Sequence, residues 1–123
     1  MKSGVVFAMF VLVLAGCAGP KPPPRTGGPE LVGGGALFRY RNSDAKKVYL
    51  VGDFNDWAPS TDPMTDENGD GEWTLFYPLG PGRYAYKFVV DGRSWIADPT
   101  NPETEADGFD GWNSVLVIPE LTP

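Results

Sequence analysis

Nine residues, Gly82-Arg-Tyr-Ala-Tyr-Lys-Phe-Val-Val90, limit what this chain can fold into more than any other stretch. Side chains on an extended strand alternate between two faces, so Tyr84, Tyr86, Phe88 and Val90 share one side while Ala85, Lys87 and Val89 share the other. Three rings and a valine on one face require a core, which leaves Lys87 outward. A second apolar strand runs into Val48-Tyr-Leu-Val-Gly-Asp-Phe-Asn-Asp-Trp57, where a Gly-Asp turn delivers a tryptophan onto a loop. The first strand leads through Asp91-Gly92 to another, Trp95. Two indoles and one ammonium, in a chain with no histidine, suit a surface that holds a molecule more than one that transforms it.

The rest of the folded part obeys the same period. Apolar and polar residues alternate, turn residues recur every eight to twelve positions, and no segment carries a 3.6-residue apolar stripe, a pattern that predicts an all-β antiparallel β-sandwich. Strands are expected at residues 36–40, 47–51, 73–77, 84–90, 94–96 and 115–118. The continuous apolar run Val115-Leu-Val-Ile118 reads as a buried closing strand. Trp73, Leu75 and Tyr77 alternate with Thr74 and Phe76, which places Trp73 in the core. Two sheets packed face to face would then enclose a single core.

The chain opens with Lys2, an apolar run from Val5 to Ala15, and small residues up to Cys17. That run falls far short of the ~20 residues that span a bilayer and has the parts of a secretory signal. Leu14-Ala15-Gly16-Cys17 also resembles the lipobox of bacterial lipoproteins, which implies a signal peptide over 1–16, removed to expose Cys17 for acylation. More than one acyl chain on that cysteine would anchor the protein stably to a membrane. Ala18, where aspartate would imply inner-membrane retention, favours the outer membrane of a two-membrane envelope. As the only cysteine, Cys17 forms no disulfide within the chain. Residues 17–35, rich in proline and glycine, read as a tether; 36–119 form one domain and 120–123 a tail.

Charge narrows the ligand. Lys and Arg number 10 against 16 Asp and Glu, a net of −6. Within 36–119 the count is seven against fourteen, a net of −7. Such a surface repels phosphate backbones and argues against nucleic acid. It equally disfavours polyanionic sugars and lipid headgroups, leaving a neutral ligand. Ser/His and Cys/His nucleophile systems and Cys/His zinc sites lack their residues. Asp66-Glu-Asn-Gly-Asp-Gly71 imitates the first half of a calcium loop, but Tyr77 stands where the loop's glutamate belongs. Glu103, Glu105, Asp107 and Asp110 could pair as hydrolytic carboxylates, yet their Pro/Gly-rich loop offers nothing to fix their separation. No enzyme activity, metal or cofactor is expected.

The ordered pieces together resemble the carbohydrate-binding module shared by the glycogen-binding domain of AMP-activated kinase β subunits and the N-terminal modules of isoamylases and branching enzymes. They are GDFNDW at 52–57, Met64, GEW at 71–73, PGRYAYKFVVDG at 81–92, Trp95, ADP at 97–99 and NSVLVI at 113–118. The resemblance implies an immunoglobulin-like (early set) sandwich that binds α-glucan polysaccharide without catalysis. By position it assigns sugar stacking to Trp57 and Trp95, hydrogen bonding to Lys87 and Asn113, and an apolar contact to Phe109. Two departures stand out: Gly111 replaces a threonine that would supply a hydroxyl contact, and the segment Asp91-Gly-Arg-Ser-Trp95 is one residue longer than the pattern.

The extra residue matters for parity. A two-residue Asp91-Gly92 turn would pair Phe88 with Trp95 and turn that indole into the core. An odd-length loop or a bulge would set Trp95 opposite Val89, on the face of Lys87. Trp112, beside Asn113, reads as an edge plug, with a third sugar platform as the alternative. The rival to glucan binding is an envelope interaction or structural module that kept the fold and lost sugar binding, with other envelope proteins as partners. Co-oriented, exposed Trp57, Lys87 and Trp95 favour glucan; burial of both indoles favours the rival.

Overall fold

Eight strands and one short 3-10 turn form residues 27–120, the part of the chain described by the computed structural model. The expected signal peptide, Cys17 and residues 121–123 lie outside the described residues. In chain order the strands are β1 (Glu30–Val32), β2 (Gly35–Arg41), β3 (Val48–Gly52), β4 (Glu72–Pro78), β5 (Gly82–Val90), β6 (Ser94–Ile96), β7 (Thr104–Ala106) and β8 (Trp112–Ile118); the 3-10 turn is Asp53–Asn55. One antiparallel sheet has the order β1-β2-β4 and the other β3-β5-β8-β7. Strand β8 pairs with the first half of β5, from Gly82 to Tyr86, and β6 pairs with its last three residues, from Phe88. The fold is an all-β, immunoglobulin-like antiparallel sandwich.

The core lies between the sheets and follows the alternation of each strand. Ala36, Phe38 and Tyr40 of β2 face Val48 and Leu50 of β3, Tyr86, Phe88 and Val90 of β5, and Leu116 of β8. Phe38 and Tyr86 meet edge to face, with ring centroids 5.0 Å apart. Fully burying an aliphatic or aromatic side chain of this size contributes about 1.5–3 kcal/mol, so this layer is the main source of stability. Trp73 packs against the same core, and its indole N–H donates to the Asn42 carbonyl at 3.0 Å.

Three details differ from the expected boundaries. Strand β1 pairs with β2 from Glu30↔Leu37 to Val32↔Gly35, so the predicted 17–35 tether gives way to folded structure before residue 35. Its three residues sit between glycines and a proline, too short a run for alternation to register. Strand β7 was likewise not expected; it joins the sheet through Glu105↔Asn113. The closing strand begins at Trp112, and Val117 is 54% exposed rather than buried because it faces away from the core.

One polar network is buried beneath the aromatic layer. The Tyr86 hydroxyl donates to Asp98 Oδ2 at 2.7 Å and accepts from Asn101 Nδ2 at 3.0 Å, while Asn101 Nδ2 also reaches the Val115 carbonyl. The Asp98 amide donates to Ser114 Oγ at 2.7 Å. These bonds fasten the 97–103 connection to β5 and β8. Burial, with the Asp98 carboxylate beside it, pushes the Tyr86 hydroxyl far above its ordinary 10.0 and keeps it a donor. Removing that donor strands a buried carboxylate oxygen, which costs about 1–3 kcal/mol. Tyr86→Phe is therefore expected to lower the unfolding free energy by that amount, seen as a lower urea midpoint at unchanged m; an unaltered midpoint would mean that the network contributes nothing to stability.

Candidate functional site

The segment Gly52-Asp-Phe-Asn-Asp-Trp57 converts the end of β3 into an aromatic platform, and each residue has a separate task. A Cβ on Gly52 would come within 2.6 Å of the Ala85 carbonyl, so only glycine lets the turn lie against β5. Phe54 turns back into the core, with ring centroids 4.7 Å from Tyr77 and 5.8 Å from Phe38. Asn55 staples the turn: its Oδ1 accepts from the Gly52 amide, and its Nδ2 donates to the Leu50 carbonyl and to Asp62 Oδ2. Asp56 and Trp57 both adopt left-handed backbone, φ 58° and 57°, which swings the indole away from the core. Non-glycine residues rarely hold that conformation without support.

Support comes from Asp53. The ladder of β3 on β5 ends at Gly52↔Tyr86. Just past that end the Ala85 amide donates to Asp53 Oδ2 at 2.8 Å, while Asp53 Oδ1 accepts the Trp57 indole N–H at 3.2 Å. One carboxylate thus ties the indole to the central strand.

The β5–β6 connection has three residues, Asp91, Gly92 and Arg93, with positive φ at the first two. Val90 pairs with Ser94 and Val89 with Trp95. This odd-length loop puts Trp95 on the face of Lys87, 46% exposed. Asp91 Oδ1 accepts the Lys46 and Lys47 amides, and these two bonds hold its carboxyl below the ordinary 3.8.

The third wall is the 107–111 loop between β7 and β8. Asp107 Oδ1 accepts the Phe109 and Gly111 amides at 2.7 and 3.0 Å, and its Oδ2 receives the Lys87 ammonium at 2.7 Å. Phe109 stands at the loop's tip, 88% exposed. A Cβ at Gly111 would lie 2.7 Å from Asp107 Oδ2. A threonine at 111 could therefore be accommodated only if the Asp107 carboxylate moved from this position.

Together these elements enclose an open cleft of about 390 Å³ on the outer face of the larger sheet. Trp57, Lys87, Trp95, Phe109 and Asn113, the five residues assigned by position in the sequence, all line it. Asp53, Ala85, Glu105 and Asp107 line it as well and were not singled out for this cleft. Asp53 lay within the recognised motif; Asp107 is twenty residues from Lys87 and had no spacing to reveal it. Lys87 is not the free outward amine that strand parity implies. Its side chain is only 13% exposed, and Asp107 fixes one of its protons, leaving two for a ligand.

Trp112 departs from the edge-plug reading. It is 58% exposed and lines a separate shallow recess with Ala106, Gly108 and Asp110, because its strand projects past the end of the core. The calcium-like loop is closed by its own bonds: Asp66 accepts the Asp70 and Gly71 amides through both carboxylate oxygens. Among the described residues no group of three acidic, His or Cys side chains is placed to hold a metal ion.

The family described as the glycogen recognition site of AMP-activated protein kinase matches residues 36–121. The chain belongs to this family. The chain is also similar to the 1,4-alpha-glucan branching enzyme GlgB of Ralstonia nicotianae, 39% identical over 79 residues, covering 58% of this chain and 10% of that enzyme. The Pseudomonas putida branching enzyme is 42% identical over 76 residues, covering 58% and 10%. Protein PTST homolog 2, chloroplastic, of Arabidopsis thaliana is 36% identical over 76 residues, covering 62% and 13%. The matched part thus spans only about a tenth of the length of these curated relatives.

The Lys87 ammonium first, then the Phe109 amide, hold the Asp107 carboxyl down at about 2 from its ordinary 3.8. A lowered folded-state pKa gives stability that is present above the unfolded value near 4 and is lost as pH falls toward 2. NMR titration of Asp107 should accordingly show a midpoint near 2, with the Phe109 and Gly111 amides protected at pH 4; a midpoint at the ordinary value would show the pair to be absent in solution. Gly111→Thr should speed hydrogen exchange at the Phe109 amide, since the new Cβ displaces the carboxylate that holds it. Unchanged exchange would mean that the loop accommodates the side chain.

Proposed function

We propose that this protein binds α-glucan, such as glycogen, starch or maltooligosaccharide, without catalysis, through the cleft between Trp57, Lys87 and Trp95. The observation that carries the proposal is the co-orientation of two indoles and a fixed ammonium on one sheet face. Membership of a glycogen-recognition family supports it, as do relatives named as α-glucan branching enzymes. Glucose presents C–H faces and a rim of hydroxyls. An indole covers the C–H face and leaves the rim free for Lys87 and Asn113.

At ~25 cal/mol per Å², covering roughly 60–100 Å² of sugar contributes about 1.5–2.5 kcal/mol per platform. Two platforms and a few exposed hydrogen bonds, less the cost of association, correspond to a dissociation constant of about 10 μM to 1 mM. Such a binder works through many contacts on one polymer. The sequence supplies a setting for that: a lipobox-like Leu14-Ala15-Gly16-Cys17 would place many copies on one membrane, with the outer membrane the favoured location in a two-membrane envelope.

Affinity electrophoresis tests the reading directly. The protein is expected to be retarded in gels containing glycogen, and Trp57→Ala should weaken the apparent affinity at least tenfold while circular dichroism stays unchanged. Equal mobility of the parent protein with and without glycogen would remove the proposal.

A further inference from the structure

The seven lysines and arginines among the described residues fall into two groups. Arg39, Arg41, Arg83 and Lys87 are ion-paired with Glu30, Glu72, Glu105 and Asp107. Lys46, Lys47 and Arg93 form no ion pair among the described residues, and all three line one recess of about 720 Å³. Asp91 is the carboxylate in that lining, and its Oδ1 is engaged by the Lys46 and Lys47 backbone amides at 2.7 and 2.9 Å. The recess carries three positive charges and one negative, a net of +2. The whole of 27–120 holds seven positive and sixteen negative residues, a net of −9.

The recess continues the aromatic cleft. Tyr49 and Trp95 flank Val89 from either side on the outer sheet face. The loop after β3 borders both spaces, with Trp57 in the cleft and Pro59 and Ser60 in the recess; on the other side Trp95 belongs to the cleft and Ser94 to the recess. A chain of sugar rings lying on the two indoles would therefore lie next to the cationic end. The bases are also mounted together: the Asp91 carboxylate bonds, with the Asp91 amide donating to the Lys47 carbonyl at 2.8 Å, join the 46–47 and 91–93 segments.

We infer that this recess is an anionic subsite, taking a phosphomonoester carried on the glucan that occupies the cleft. The inference rests on the glucan reading of the cleft and extends it to a charged substrate class. A phosphomonoester carries about −1.5 to −2 at pH 7, which matches the net charge of the lining. Arg93 offers a planar fork for two phosphate oxygens, and the lysines supply point charges. The acidic remainder of the domain does not cancel the attraction, because at physiological salt its field decays over about 8 Å.

Titration calorimetry of the protein at 0.15 M salt, with maltoheptaose and with maltoheptaose bearing one phosphomonoester, tests this. The phosphorylated sugar should bind roughly tenfold tighter, as three exposed ion pairs permit. The combined variant Lys46→Gln, Lys47→Gln, Arg93→Gln should lose that preference and keep the neutral-sugar affinity, since these side chains are exposed and unpaired. Equal affinities in the parent protein, or a preference that survives in the variant, would overturn the subsite. Sedimentation with anionic vesicles that the variant abolishes, without any sugar preference, would overturn it in favour of a membrane contact. Failure to bind the neutral sugar would instead overturn the reading of the cleft, and the subsite with it.

Discussion

Two loops carry Trp57 and Phe109 over the cleft, and each is tied to the central strand β5 by a single carboxylate. Asp53 accepts the Trp57 indole and the Ala85 amide; Asp107 accepts the Lys87 ammonium together with two amides of its own loop. Neither carboxylate need touch a ligand to matter. Without Asp53 the Trp57 indole would lose its tie to β5, and the left-handed turn would be held only by its bonds to the end of β3. Without Asp107, Phe109 would sit on an unanchored loop and Lys87 would sweep a cone of rotamers. Side-chain freedom removed in advance is freedom that binding need not remove.

The sequence was most legible where one physical rule acted alone. Alternation along 82–90 placed Tyr86 and Phe88 inward and Lys87 outward because a strand has only two faces. The rule ran out where two signals competed or where partners lay far apart. Trp95 could face either way until the loop length was known, and three residues rather than two decide it. The Lys87–Asp107 pair joins positions twenty apart through a turn that no pattern announces. Strands β1 and β7, three residues each, are held by their neighbours' edges more than by their own composition. Trp112 has the parity of a core residue, but the core ends before it.

Net charge gave a correct average and a poor map. Four of the seven bases in 27–120 are neutralised locally, so the unpaired ones are concentrated at one end of the outer sheet face. A chain that repels polyanions overall can still offer a small positive pocket, because screening separates the two length scales. Which scale governs a ligand depends on whether its charge is spread along it or confined to one group.

Strand β1 has a mechanical consequence. It is the edge of the smaller sheet, joined to β2 by three residue pairs, and the Gly28 amide just before it is held by Thr100 Oγ1 at 3.0 Å. Tension applied through the N-terminal residues would first load the Gly28–Thr100 bond, then enter at Glu30 and open the β1–β2 hairpin like a zipper, one rung at a time, toward Gly33 and Gly34. The outer face of the other sheet shares no rung with that hairpin. Under traction this edge would yield first and absorb the extension, while the aromatic surface kept its shape.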